Sequence, residues 1–600
     1  MTRVPDFDEL LGGERGEHGN DEHGNDEHRN DGQTGSAGST GSTGVASTTG
    51  STGSTGSTGR TGSTRSTRST GLTEKPVDAH VAGPTGSRLD DWWGRMLGSP
   101  RRRLVWMWAG PAAVTLLAAV LRLWNLGSPR SLVFDETYYV KDAYTLMNLG
   151  YEGQWPADAD TSFNAGNVDI YTSAAAYIAH PPLGKWIISL GLQVFGADDP
   201  VGWRISTAIV GVLAVALLCA IAFALFRSTL LATIAGALLA IDGLAIVMSR
   251  TALLDNTLMF FTLLGFGAIL LDRWQSAGRL AGWIARRADA GRGIDWGPAI
   301  WWRPWLVTAG ILFGLASAVK WSGVYFLAFF AIYSLLVDAA ARRRAGVHFW
   351  ASSTVFRQAP VSFLLTVPAA AVAYVSSWAG WFATSGGYNR TWAELQPGAS
   401  SSWIVNAAAS FWHYQVAIYT TNVSLSTPHG YQANPFTWLF LVRPTVFYYE
   451  GTTQGESGCT LDACSSFISS IANPVLWWLA VAAAFFLVYR LIRRREWQVG
   501  LILAGIAAGY LPWLLYTDRT VFQFYTIVFL PYLVLGLTFV ASLALGSRSD
   551  PAWRRRSGIR LVVVVLVLIT GVSVFFWSAW TGVLVSGLYQ RMHYWLPTWG

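Results

Sequence analysis

Charge is scarce in this chain. Only 13% of its 600 residues are Asp, Glu, Lys or Arg, about half the usual share of a soluble domain, so an ordinary soluble enzyme is excluded. Cysteine is scarcer, with three in all. Cys219 lies in an apolar run and reads as core, whereas Cys459 and Cys464 sit five positions apart in a long polar loop, where a disulfide is expected if that loop is outside the cell. No closely spaced set of His, Cys, Asp and Glu suggests a metal centre beyond one adjacent acidic pair, and no internal repeat suggests a transporter. No metal or other cofactor is therefore expected.

What the chain has in abundance is apolar surface: 52% hydrophobic and 14% aromatic residues, with a mean hydropathy of +0.32. Apolar runs of about 20 residues, the length that crosses a bilayer, recur from Leu104 onward. The expected class is an all-α polytopic membrane protein. The formal net charge of +7 is carried largely by Arg clusters in some of the loops, which reads as membrane topology and not as nucleic-acid binding.

Residues 1–88 form an acidic, His-bearing repeat followed by Gly-Ser-Thr repeats, too poor in large apolar side chains to fold. They are expected to be a disordered cytoplasmic tail with no cleavable signal peptide ahead of it. Arg101, Arg102 and Arg103 precede the first span, Leu104 to about Trp124, and hold that end in the cytoplasm. The helix after His180-Pro181-Pro182 runs only to about Phe195, too short to cross. If it does not cross, spans fall near 205–226, 229–248, 252–271, 305–319, 322–338, 360–381, 474–491, 498–515, 521–545 and 561–582. Every basic cluster then lands on one side. The expectation is about eleven spans, the N-terminus cytoplasmic and the C-terminus extracytoplasmic. An N-terminal transmembrane module (89–381, with an outer loop at 125–203), an extracytoplasmic loop (382–473) and a C-terminal transmembrane module (474–600) follow from it.

This topology gathers polar residues on the outer face. Asp135 and Glu136 follow the first span, and an acidic pair so close to hydrocarbon is a candidate functional site, with a helix N-cap as the alternative. Arg204, Arg250 with Asp255, Lys320, and Asp518 with Arg519 mark the outer ends of other spans. His180 and Lys185 lie in the first loop, and His413, His429, Tyr431 and Arg443 in the large one. Cations on the side that the positive-inside rule disfavours suit an anionic head group, and guanidinium suits phosphate. The competing reading is structural ion pairing, Arg250 with Asp255 and Arg519 with Asp518. A carboxylate can take a proton from an incoming hydroxyl while fixed cations stabilise a departing phosphate. Consecutive residues diverge in direction, so one carboxylate serves as base and the other is structural; Asp135 is the expected base.

At these residues the chain resembles the polyprenyl-phosphate-mannose-dependent protein O-mannosyltransferases (glycosyltransferase family 39) of the actinobacterial type. The stretches that carry the resemblance are Phe134-Asp135-Glu136-Thr137-Tyr138-Tyr139, His180-Pro181-Pro182-Leu183-Gly184-Lys185, Trp203-Arg204, Ser249-Arg250-Thr251-Ala252-Leu253-Leu254-Asp255 and Val319-Lys320-Trp321-Ser322-Gly323. Trp378-Ala379-Gly380-Trp381-Phe382, Pro428-His429-Gly430-Tyr431-Gln432 and Arg443-Pro444 complete the set. The resemblance implies a GT-C fold in the plasma membrane with its site facing outward. It also implies inverting transfer of mannose from a β-linked polyprenyl phosphate to Ser or Thr of secreted proteins emerging from the translocon. Asp135 would be the base, with Arg204 and Lys320 near the lipid phosphate. The 382–473 loop is too short for the β-trefoil MIR domain that eukaryotic relatives insert there. The alternative is another GT-C transferase acting on a lipid or cell-wall glycan.

Overall fold

The computed structural model describes residues 88–600 apart from 97, 457 and 548; the expectation of a disordered tail falls on residues outside that range. Ser99 accepts a hydrogen bond from the Arg102 amide and Pro100 occupies the first turn, which starts α1 (Pro100–Leu123). Such caps satisfy helix-end amides that nothing else would bond. Two shorter helices follow, α2 (Glu136–Leu149) and α3 (Leu183–Phe195). Asp199 and Pro200 then start α4 (Pro200–Phe226) in the same way.

The segment expected as one span over 229–248 is two helices, α5 (Thr229–Ile241) and α6 (Gly243–Arg250), bent by 61°. Asp242 stays extended between them and caps α6 by accepting from the Ala245 amide. Arg122 of α1 donates to the carbonyls of Leu239 and Ala240, which the break leaves without helical partners. The bend lets Gly243 press against Trp580, close enough that an ideal Cβ there would lie 2.0 Å from the indole.

The bundle continues with α7 (Leu254–Asp289), α8 (Pro304–Val319), α9 (Gly323–Arg344) and α10 (Ala359–Ser376). The region expected as a loop over 382–473 contains α11 (Trp403–Ser424). It also holds an antiparallel hairpin, β1 (Val446–Thr453) and β2 (Ala463–Ser469), closed by a Cys459–Cys464 disulfide. Four helices end the bundle: α12 (Pro474–Arg494), α13 (Trp497–Tyr510), α14 (Leu530–Leu545) and α15 (Ala552–Thr581). The expected span at 521–545 is shorter than its apolar run, because Gln523–Val528 forms a 3₁₀ turn and Pro531 sits at the start of α14. After α15 the chain adds β3 (Val585–Ser586) to β2, and Trp599 donates to the carbonyl of Leu441. The C-terminal segment therefore lies against the same end of the bundle as the large loop.

Among the described residues eight helices are long and apolar enough to cross a membrane, nine if α5 and α6 count as one. Three shorter apolar helices, α3, α8 and α14, accompany them. Gly243→Ala tests the close approach at the bend. Overpacking of this kind costs about 1–3 kcal/mol, so the variant is expected to melt below the parent in detergent; an unchanged melting temperature would remove the steric role of Gly243.

Candidate active site

Phe134 introduces the acidic pair in the left-handed region, at φ 47°, a conformation few non-glycine residues adopt. Its ring is held by a stack on Phe447 and by edge contacts with Phe522, Phe524 and His429. The chain then turns into α2 with Asp135 at the N-cap position. No side-chain cap hydrogen bond forms there, so the capping alternative for the Asp135 carboxylate is not what the fold uses.

The next residue is entirely different. Glu136 is fully buried and accepts from Arg204 Nε and Nη2, both at 2.8 Å, from the Ala252 amide at 2.8 Å and from the Val133 amide at 3.0 Å. Arg204 gives its remaining donors to the carbonyls of Leu126, Pro129 and Ser131. Glu136 and Arg204 thus tie the first loop to α4 and to the start of α7.

This geometry and that of two further arginines correct four sequence-based expectations. Arg204 has no donor left for a lipid phosphate. Arg250 is not a phosphate ligand either, and does not pair with Asp255: its guanidinium donates to the carbonyls of Leu121, Arg122, Trp124 and Asn125. It thereby closes the C-terminal end of α1, where a cation is favoured. Arg519 does not pair with Asp518 but donates to the backbone and side-chain oxygens of Asn422.

Beside Asp135 lies a cavity with about 810 Å³ of unfilled space including its mouth, lined by His180, Asp255, Lys320, Asn422, Arg519 and Tyr525 among others. Lys320, at the end of α8, binds Asp255 at 2.7 Å and lies 4.9 Å from the Tyr525 ring centre. Arg519 Nη1 is buried and meets no partner, although an orphaned guanidinium donor is costly. Here the fold keeps a cationic donor in reserve beside a second cation. Burial pushes the Asp135 carboxyl up to about 6, against the pull of Lys320 and with a smaller push from Asp255. Burial and then the Lys320, Arg519 and Lys185 cations hold His180 well below its usual value, so its ring is neutral at pH 7.

The remaining candidates divide. Lys185 is buried in an ion triad with Glu152 at 2.6 Å and Asp142 at 3.4 Å, which corrects it to a framework group. His413 stacks face to face on Trp392 at 3.9 Å and does not line the cavity. His429, Tyr431 and Arg443 build one turn: the Tyr431 amide donates to His429 Nδ1 and Arg443 donates to the Gly430 carbonyl. Through the His429–Phe134 contact this exposed turn borders the acidic pair. Sequence reasoning missed Asn422 and Tyr525, which carry no charge, and Tyr419, Tyr325 and Tyr516, whose aromatic character at a membrane surface is unremarkable. Among the described residues no group of three His, Cys, Asp or Glu side chains is spaced to hold a metal ion.

Residues 112–287 match the family model described as dolichyl-phosphate-mannose-protein mannosyltransferase, and residues 407–599 that of the C-terminal four-transmembrane region of protein-O-mannosyltransferase. The chain belongs to the protein O-mannosyltransferase family. A polyprenol-phosphate-mannose–protein mannosyltransferase of Mycobacterium tuberculosis is 34% identical over 82% of this chain and 92% of its own length. One from Corynebacterium glutamicum is 29% identical over 81% and 92%. The fold matches that of a solved yeast Pmt1-Pmt2 complex bound to the sugar donor, at a TM-score of 0.61 with 14% identity, covering 82% of this chain and 92% of that one. The protein O-mannosyltransferase described here is thus a glycosyltransferase with a GT-C fold.

The framework and cavity arginines separate experimentally. Breaking a buried ion pair by removing one partner costs about 3–5 kcal/mol, so Arg204→Met is expected to lose most folded protein. Arg519→Gln, which leaves the Glu136 ties intact, is expected to retain it. Size-exclusion yield in detergent measures both, and equal yields would refute the division.

Proposed function

We propose that this protein O-mannosyltransferase moves mannose from polyprenyl-phosphate-mannose to Ser or Thr hydroxyls of proteins, with inversion, at the extracytoplasmic face of the plasma membrane. The observation that carries this reading is the pairing of a half-buried Asp135 carboxylate, free of hydrogen bonds from any described residue, with the Lys320 and Arg519 cations of the adjoining cavity. The names of the M. tuberculosis and C. glutamicum relatives supply the donor and acceptor classes.

In the proposed reaction the acceptor hydroxyl attacks the anomeric carbon and gives its proton to Asp135. The bond from that carbon to the phosphate oxygen breaks, and the electron pair leaves with the lipid phosphate. Lys320 and Arg519 stabilise the charge that develops on the phosphate. Neutral His180 can donate one hydrogen bond there without adding charge. A phosphate is already a good leaving group, so no acidic carboxyl is required, and the chemistry needs no metal.

The eleven-span topology adds α8 and α14 to the nine longer spans and puts the Cys459–Cys464 disulfide on the same side as Asp135, consistent with an oxidising exterior. Secreted acceptors, presented by the translocon as they emerge, would approach past the exposed Pro428–Tyr431 turn.

General-base catalysis is worth about 10²–10⁴-fold, so Asp135→Asn is expected to lose transfer by that factor with folded yield unchanged; wild-type turnover in this variant would end the assignment. The base works only when deprotonated, so activity should fall about tenfold per pH unit below the Asp135 value of about 6 and level off above it. A chelator is expected to leave the rate unchanged. A pH profile with and without EDTA reads both.

A further inference from the structure

Asn422 stands in the last turn of α11, the long helix of the large loop, and lines the same cavity as Arg519, His180 and Lys320. Its carboxamide is held in one orientation. Nδ2 donates to the carbonyl of Ile418, one turn back in α11, at 3.0 Å, and to the carbonyl of Ala179, the residue before His180, at 2.9 Å. Two carbonyls on one side accept only the amino group, so Oδ1 faces the other way and accepts from Arg519 Nη2 at 3.1 Å. The Asn422 backbone carbonyl accepts from Arg519 Nε at 2.6 Å. One residue thus grips one edge of the guanidinium, whose central carbon lies 5.6 Å from the Trp513 ring centre. Nη1 is left buried and without a hydrogen-bond partner.

The backbone on both sides of this contact is fixed by other groups. Ahead of Ala179, the Ile178 amide donates to the Tyr414 hydroxyl at 3.1 Å and the Tyr177 hydroxyl to the Ala417 carbonyl at 3.4 Å, which ties α11 to the segment before His180. Beside Arg519, the Thr520 amide donates to the Leu425 carbonyl at 3.0 Å and its hydroxyl to the Thr427 carbonyl. The path of the chain therefore does not depend on the Asn422 side chain, whereas the aim of the guanidinium does. A neutral amide also leaves the charge of Arg519 undiminished, which a carboxylate in its place would offset by a charge-assisted pair. A buried cation with an unused donor is what a phosphate oxygen requires.

We propose that Asn422 is a positioning residue for sugar transfer, its carboxamide orienting Arg519 so that Nη1 meets a phosphate oxygen of polyprenyl-phosphate-mannose. The proposal rests on the reading that this cavity takes the donor phosphate. Asn422 acts through Arg519 and takes no part in proton transfer or in holding the acceptor.

The test is steady-state kinetics of the full chain in detergent, with labelled polyprenyl-phosphate-mannose and a Ser/Thr-rich peptide, on Asn422→Ala, Asn422→Asp, Arg519→Gln and the Asn422→Ala/Arg519→Gln double variant. Arg519→Gln is expected to lower kcat/KM for the donor at least about tenfold, the loss of roughly one charge-assisted contact. Asn422→Ala should lower it about five- to tenfold with the peptide KM and the folded yield unchanged. Asn422→Asp, which keeps an oxygen for Arg519 but offsets its charge, should be no better than Asn422→Ala. The double variant should be no worse than Arg519→Gln alone, because residues that act through one group are not additive. Additive losses, a peptide KM that moves with the donor term, or parental kinetics in Asn422→Asp overturn the proposal. If Arg519→Gln is impaired and Asn422→Ala is not, the positioning role alone falls; if Arg519→Gln has parental donor kinetics, the phosphate reading of Arg519 falls with it. Should Asn422→Ala misfold, Asn422→Asp against the parent decides.

Discussion

The bidentate Glu136–Arg204 pair is the constraint on which the first-loop end of the bundle depends. A buried ion pair is not in itself a strong source of stability, because desolvation offsets much of the attraction. What makes this one effective is that the surrounding backbone satisfies nearly every remaining donor and acceptor. Val133 and Ala252 amides complete Glu136, and three carbonyls of the first loop complete Arg204. A single cross-link therefore sets the loop, α4 and the start of α7 in one register. It also separates two adjacent carboxylates, because Glu136 is spent on Arg204 while the Asp135 carboxyl feels the Lys320 charge.

Arginines elsewhere do similar work on backbone carbonyls. Arg122 closes the broken end of α5, and Arg250 closes the end of α1. Each is a buried cation whose guanidinium donates to backbone carbonyls and forms no direct ion pair with a carboxylate among the described residues. This is why the sequence could not separate framework arginines from ligand-binding ones. Arg204, Arg250 and Arg519 are each guanidinium groups at the end of an apolar run, and all suit phosphate equally well on paper. The difference is which carbonyls lack helical partners nearby, and for Arg122 that depends on the 61° bend at Asp242, which no periodicity of an apolar run reveals.

Much else was legible. Run length located most of the bundle helices, and the apolar helix after Pro182 ends at Phe195 as expected. The proximity of Cys459 and Cys464 anticipated their disulfide. Divergence of neighbouring side chains anticipated that only one acid would be available. Other features were hidden by chemistry of the ordinary kind. Helix α11 interleaves Asn406, Ser410, His413 and Gln415 with its apolar positions, so it reads as a polar loop. Asn422 earns its place only through a contact with Arg519, 97 positions away, and Tyr525 only through Lys320. Both pairings join residues distant in sequence, and neither leaves a mark on local composition.

The balance of charge at the Asp255 end of α7 bears on turnover. Lys320 is matched by Asp255, and Asp135 brings a second carboxylate, so the cavity's cations are nearly balanced before any ligand enters. A phosphate there would be held yet could leave, as turnover requires, because binding that is uniformly tight does not speed a reaction.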